Sequence, residues 1–159
     1  KQEEFISQKV DQLTQDFQKV HKFGLASIKR IPPAQRILIT SHDAFQYFGR
    51  SFGLEVIALQ GISTATEAGL ADRSNLVEYL QNSKVPSIFV ESSVNPKALE
   101  QIGREAKVEL GRALFSDALG AEDAFVFAAD GKKHSLASWS GMMIYNIQSI
   151  VEGLVPSKQ

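Results

Sequence analysis

The stretch RILITSHDAFQYFGRSFGLEVIAL, residues 36–59, decides the fold. Arg36–Thr40 (RILIT) is a short apolar run and reads as a strand. Residues 43–51 read as a helix, with Gly53 as its C-terminal cap. Leu54–Leu59 (LEVIAL) reads as the second strand. Neither run alternates apolar with polar residues, as expected when both faces of a sheet are covered. Strand, helix and strand at this spacing argue a parallel sheet with covering helices.

The same alternation continues outward. Ser87–Val90 (SIFV) is a third strand, and Val108–Phe115 contains a fourth, interrupted by Gly111 and Arg112. Helices are predicted over 70–83 and 96–106. Asn95 and Pro96 give the second of these a cap and a first residue with preset φ. Asp72 falls in the first turn of the other, and Leu76, Val77 and Leu80 are its apolar stripe. Upstream, residues 3–28 carry Ile6, Val10, Leu13, Phe17 and Val20 on one helical face. That helix either packs on its own domain or links to something outside it. Pro32-Pro33 ends the segment. Downstream, Ala121–Ser135 reads as polar and irregular, with Asp130-Gly131 as a turn. A last helix carries Trp139, Met143, Asn146, Ile147, Ile150 and Leu154 at helical spacing. The fold class is therefore α/β, a four-stranded parallel sheet covered by helices and preceded by a long helix.

Composition narrows the function classes. The chain has 159 residues, 43% hydrophobic and 22% charged, with a net charge of −1. That length suits one domain with a real core, and the charge offers no field for nucleic acid. The absence of cysteine rules out disulfides and thiolate metal sites. No apolar run reaches the length of a bilayer span. The chain opens on Lys1-Gln2-Glu3-Glu4 without an initiator Met or a visible signal peptide, which reads as a piece or a processed product.

In an open parallel sheet, ligands bind beyond the carboxyl ends of the strands. His42 and Asp43 fall there, as do Thr64, Thr66 and Glu67, then Glu91, Ser92 and Ser93, then Ser116 and Asp117. Ser41-His42-Asp43 cannot be a catalytic triad, because three consecutive side chains point in different directions. There is no GxSxG elbow and no glycine-rich phosphate turn. An imidazole with carboxylates suits Zn, Mn or Fe, and His42 and Asp117 close the first and fourth strands. The residues alone leave alternatives open. His42 can be a ligand or a polar residue satisfied at a helix start. Asp117 can be a ligand or a turn residue. Glu91 can be a ligand, a partner behind one, or half of an ion pair. Ser41 and Asp43 read as the polar start of a helix, Asp43 complementing its dipole. His21 and His134 read as surface residues. Trp139, Met142 and Met143 read as core, and Tyr47, Phe48 and Phe52 as core-facing.

These segments resemble a known family. TSHDAFQYFGRSFGL (40–54), GISTATEAG (61–69), SIFVESSVNPKALEQI (87–102), ALFSDALG (113–120) and GMMIYNIQSIVEGL (141–154) are similar, in order, to motifs of the TroA/ZnuA-like metal-specific solute-binding proteins of ABC transporters. The resemblance implies one lobe of a two-lobed, chelatase-like binding-protein fold. Residues 1–30 would be the helix joining the lobes and residues 31–159 the C-terminal lobe. It implies extracytoplasmic capture of a divalent transition metal (Zn, Mn or Fe), in the periplasm or at the cell surface, and delivery to a permease. His42 and Asp117 fall on that family's ligand positions, and Glu91 on a glutamate near the site but not on the metal. Two further ligands would come from an N-terminal lobe that this chain lacks, so weak metal binding is expected of the chain alone. His42, where some manganese-specific relatives carry Glu, points toward zinc or a mixed specificity, while the SDALG match points back toward the Mn, Zn or Fe TroA type. The segment 122–138 is longer and more polar than in shorter relatives. The alternatives are a chelatase-like metal-handling enzyme and an adhesin or interaction domain on the same fold.

Overall fold

The computed structural model describes residues 2–60 and 69–155. Strand β1 (Ile37–His42) and strand β2 (Glu55–Gln60) pair in parallel, with Ile37 opposite Glu55 and His42 opposite Gln60. Leu38 and Ile39 are both fully buried, so both faces of β1 are covered. Helix α2 (Gln46–Phe52) connects the two strands. Gly53 closes it at φ +74°, its N–H donating to the Gly49 carbonyl at 2.8 Å, the left-handed cap the sequence calls for.

Helix α3 (Leu70–Asn82) follows, with the Asp72 carboxylate accepting from the Gly69 N–H at 3.2 Å. Strand β3 is regular only at Ser87–Ile88, then continues as parallel bridges, Thr40 to Phe89 and Glu91 to Leu114. Helix α4 (Lys97–Ala106) has Asn95 capping it, the side-chain oxygen accepting from the Lys97 N–H at 3.1 Å. Strand β4 (Glu109–Leu110) pairs in parallel with β3. The sheet thus runs in the order β2-β1-β3-β4, all parallel. The fourth strand is interrupted where the sequence places the break. A Cβ on Gly111 would stand 2.3 Å from the ring of Phe89, so the chain passes a buried aromatic that leaves no room for a side chain. It rejoins the sheet when the Leu114 N–H donates to the Val90 carbonyl at 2.9 Å.

The stretch 121–135 is not irregular. It holds an antiparallel hairpin of β5 (Phe125–Phe127) and β6 (Lys133–Ser135), turned at Gly131 with φ +78°. Helix α5 (Trp139–Leu154) then begins with the Ser138 hydroxyl capping the Gly141 N–H at 3.1 Å. Ile147, Ile150 and Leu154 of α5 are fully buried, as are Leu99 and Ile102 of α4 to within 1%.

Helix α1 (Gln2–Ile28) has 27 residues, about 40 Å of helix. Only its C-terminal part packs on this domain. Val20, Gly24 and Ile28 are buried, against α5 and the ring of Phe52. Ile6, Val10 and Leu13 of the same stripe are 53–56% exposed. The stripe packs on this domain at its C-terminal end and is exposed at its N-terminal end. Among the described residues, no helix is long and apolar enough to cross a membrane.

Two aromatic expectations need correcting. Tyr47 is 79% exposed and Trp139 40% exposed. Tyr47 lies on the outer face of α2 beside Arg50, while Trp139 sits edge-on to Phe17 of α1, 4.4 Å between centroids. Phe52 is buried as expected, and Phe48 is half-buried.

Candidate metal centre

His42 is the last residue of β1, not the first of a helix. Pairing with Gln60 of β2 carries the strand past Thr40, and α2 starts only at Gln46 with no side-chain cap. Ser41 and Asp43 therefore do not start α2. Ser41 is buried in the strand, and its hydroxyl, like Asp43 Oδ1, is buried without a hydrogen-bond partner. Strand geometry holds the His42 backbone, and two bonds to its carbonyl, from Thr40 Oγ1 and the Ala44 N–H, both at 3.0 Å, close the turn that follows.

Glu91 stands on the neighbouring strand, where it bridges to Leu114. It is 2% exposed and His42 5% exposed. Glu91 Oε1 lies 3.4 Å from the His42 backbone nitrogen and 3.4 Å from His42 Nδ1. The backbone contact is aligned as a hydrogen bond. The contact to Nδ1 is at ion-pair distance but off alignment, so Nδ1 and Glu91 Oε2 are both left without a hydrogen bond. A carboxylate behind a metal-binding histidine ordinarily accepts the ring's other N–H. Here Glu91 stands in that place, 3.4 Å from Nδ1, without the aligned bond, and Nε2 faces the other way, toward Asp117.

Asp117 lies on the other side of the ring. Its Oδ2 is 3.9 Å from His42 Nε2, and its side chain is 61% exposed. The hydroxyl of Ser93, in the loop after Glu91, donates to the same Oδ2 at 3.0 Å and touches Ser116 Oγ at 3.3 Å. A nitrogen and an oxygen bound to one tetrahedral zinc stand about 3.4 Å apart. The pair His42 and Asp117 is within about half an ångström of that spacing, so a small carboxylate shift would let one ion join them. Among the described residues, no group of three His, Cys, Asp or Glu side chains is arranged to hold a metal ion. What this edge presents is a pair of outward donors with a carboxylate behind one of them.

The remaining edge residues divide. Ser92 belongs to the backbone frame, its N–H donating to the Leu114 carbonyl at 2.8 Å. Thr64, Thr66 and Glu67 lie outside the described residues. His21 stacks on Phe52 at 5.5 Å, and His134 sits in β6 opposite Val126. Sequence reasoning placed Ser93 at the edge without giving it a role. It read Asn146 as one more position on a helical stripe. Ser93 bonds a residue 24 positions away and Asn146 one 31 positions away, and local periodicity carries no signal for either.

The chain matches the family described as "ZnuA: Zinc-uptake complex component A periplasmic" over residues 1–153. It is 37% identical over 145 residues to the "Manganese-binding lipoprotein MntA" of Bacillus subtilis, covering 88% of this chain and 44% of that one. It is 36% identical over 154 residues to the "Zinc-binding protein TroA" of Treponema pallidum, covering 94% and 47%. The solved structure of the periplasmic zinc-binding protein TroA from that organism superposes with a TM-score of 0.84 at 34% identity, covering 94% of this chain and 52% of that one. The chain spans about half the length of the curated relatives it matches. Matched over residues 1–153, this chain belongs to the family described as ZnuA, zinc-uptake complex component A periplasmic.

Proposed function

We propose that this chain is the C-terminal lobe of an extracytoplasmic binding protein that captures a divalent transition metal and hands it to an ABC permease. On this reading residues 31–159 form the lobe and residues 1–30 the helix that leads to its partner lobe. His42 Nε2 and Asp117 are two of the ligands, and Glu91 holds the His42 ring from behind. The observation that carries the reading is the line Glu91 Oε1, His42 Nδ1, His42 Nε2, Asp117 Oδ2, with contacts of 3.4 and 3.9 Å at its two ends. The metal is cargo. It needs donors that hold it firmly and a way to let it go.

Two features support a divided site. Asp117 is open to solvent, so this edge is a half-surface and not a closed pocket. The stripe of α1 that leaves the domain is apolar and unpacked, which suits a helix continuing into a second body. The openness also favours binding over catalysis, since an enzyme needs its reacting groups enclosed in a shaped site. Relatives named for manganese and for zinc support a Mn or Zn cargo, and mixed nitrogen and oxygen donors suit Fe as well. Their names as lipoprotein and periplasmic protein support a place outside the cytoplasm.

The test is His42→Ala and Asp117→Ala in the longer chain that carries both lobes, with Zn²⁺ and Mn²⁺ affinity measured by competition against a chromophoric chelator. Each substitution should lower affinity at least about 100-fold, as loss of a direct ligand does. Unchanged affinity in either variant refutes the ligand assignment. Sub-micromolar affinity in the present chain alone refutes the divided site.

A further inference from the structure

Asp117 is an exposed side chain on a segment that has just left the sheet, yet a ligand has to be held close to its working position. The last sheet bonds of this segment are made by Leu114, whose N–H donates to the Val90 carbonyl and whose carbonyl accepts from the Ser92 N–H. The next residue, Phe115, is beyond those bonds. Its N–H donates to Asn146 Oδ1 at 3.0 Å, and its carbonyl accepts from Asn146 Nδ2 at 2.8 Å. Asn146 is 1% exposed, on the inner face of α5. One side-chain amide thus takes the place of a neighbouring strand for one residue. The amide orientation is fixed by the contacts, since an N–H faces the oxygen and a carbonyl faces the nitrogen. Nδ2 also lies 3.5 Å from Met142 Sδ, and the Phe115 ring packs edge-on to Tyr145 at 5.2 Å. The backbone is therefore gripped two residues before Asp117 by a helix whose Ile144, Ile147 and Ile150 anchor it in the core.

We infer that Asn146 is a positioning residue for the metal site, clamping Phe115 so that Asp117 stands where it shares an ion with His42. This rests on the ligand reading of Asp117 given above. Asn146 never touches the ion. It fixes the backbone from which Asp117 projects, while the Ser93 hydroxyl holds the carboxylate itself at 3.0 Å.

The experiment compares Asn146→Ala and the isosteric Asn146→Asp, which loses the donor to the Phe115 carbonyl, with Ile147→Val, which thins the same helix in the core without touching Phe115. Zn²⁺ affinity and apo melting temperature are measured for each in the longer, two-lobed chain, beside His42→Ala and Asp117→Ala. The Asn146 variants should lose about 10- to 100-fold in affinity, the range for residues that orient a ligand. Ile147→Val should change affinity less than about 2-fold despite its own loss of stability. Affinity that follows melting temperature equally in all three would make Asn146 merely structural and overturn the inference. If the two ligand variants themselves keep full affinity, the ligand reading fails first. Hydrogen exchange on the unsubstituted protein needs no variant to fold. The Phe115 amide should be protected well beyond that of Ser116, and equal exchange at the two would overturn the clamp.

Discussion

Replacing Glu91 by Gln separates the two roles of a buried charge. Glu91 Oε1 is 3.4 Å from His42 Nδ1. An ion on Nε2 would stand about 7.5 Å from that oxygen, adding the ring width and a metal–nitrogen bond to the contact. A divalent ion and a carboxylate at that distance attract by about 4 kcal/mol at an effective dielectric near 20, and by about 1 kcal/mol in bulk water. Glu91 is 2% exposed but the ion would sit on the open side, so about 2 kcal/mol is the working value. That is about 30-fold in affinity, inside the range for carboxylates behind a ligating histidine. The effect on the apo protein has the opposite sign. Glu91 Oε2 and His42 Nδ1 are buried without hydrogen bonds, and an amide of the same shape removes a charge that is costly there. Glu91→Gln should therefore bind Zn²⁺ about 30-fold more weakly while melting at the same temperature or higher. Competition titration and differential scanning calorimetry on the longer chain of the proposed function read both. An affinity within 2-fold of the parent, or a fall in melting temperature that accounts for the lost affinity, would refute the argument.

Gly111→Ala places a methyl 2.3 Å from the fully buried ring of Phe89 and should cost about 1–3 kcal/mol. At about 2–4 °C per kcal/mol, an unchanged melting temperature would show that the break in the fourth strand is not made by that ring. Leu13→Ser should leave the stability of this chain within about 0.5 kcal/mol, because Leu13 is 53% exposed. Val20→Ala, on the same stripe but 5% exposed, should cost about 2 kcal/mol. Equal effects in urea titrations would contradict the division of α1 into a packed end and a free end. On the ligand reading, metal affinity should fall as pH falls, because protons compete with the ion for imidazole and carboxylate donors. Zn²⁺ affinity that is flat or rises on acidification would remove His42 from the ligand set.

The strands were legible because apolar runs such as Ile37-Leu38-Ile39 have no helical period and are bounded by turn residues. Their ends were less so. Ser41-His42-Asp43 looks like a helix start because all three residue types suit caps, but pairing of β1 with β2 out to Gln60 outweighs that preference. The hairpin had a readable signal in Phe125-Val126-Phe127, Asp130-Gly131 and Lys133-His134-Ser135. The lysines and alanines around it diluted the alternation into an apparently polar loop. His42 could be placed at the sheet edge because it ends a strand, and Asp117 because it follows one. Ser93 and Asn146 could not, because their partners are set by the tertiary fold.

Strand order explains why the donors meet. From β1 the chain goes to β2 on one side, then returns to build β3 and β4 on the other. The reversal falls between β1 and β3, where connections leave to opposite sides and open a crevice at the carboxyl edge. His42 ends one strand flanking that crevice and Glu91 extends the other, while Asp117 follows the strand beyond. Burial grades outward across the three, from Glu91 at 2% through His42 at 5% to Asp117, whose side chain is 61% exposed. The buried carboxylate faces one ring nitrogen, and the carboxylate that touches solvent faces the other. An edge built this way faces an ion from one side only, so on the proposed function tight capture calls for further donors on a facing surface.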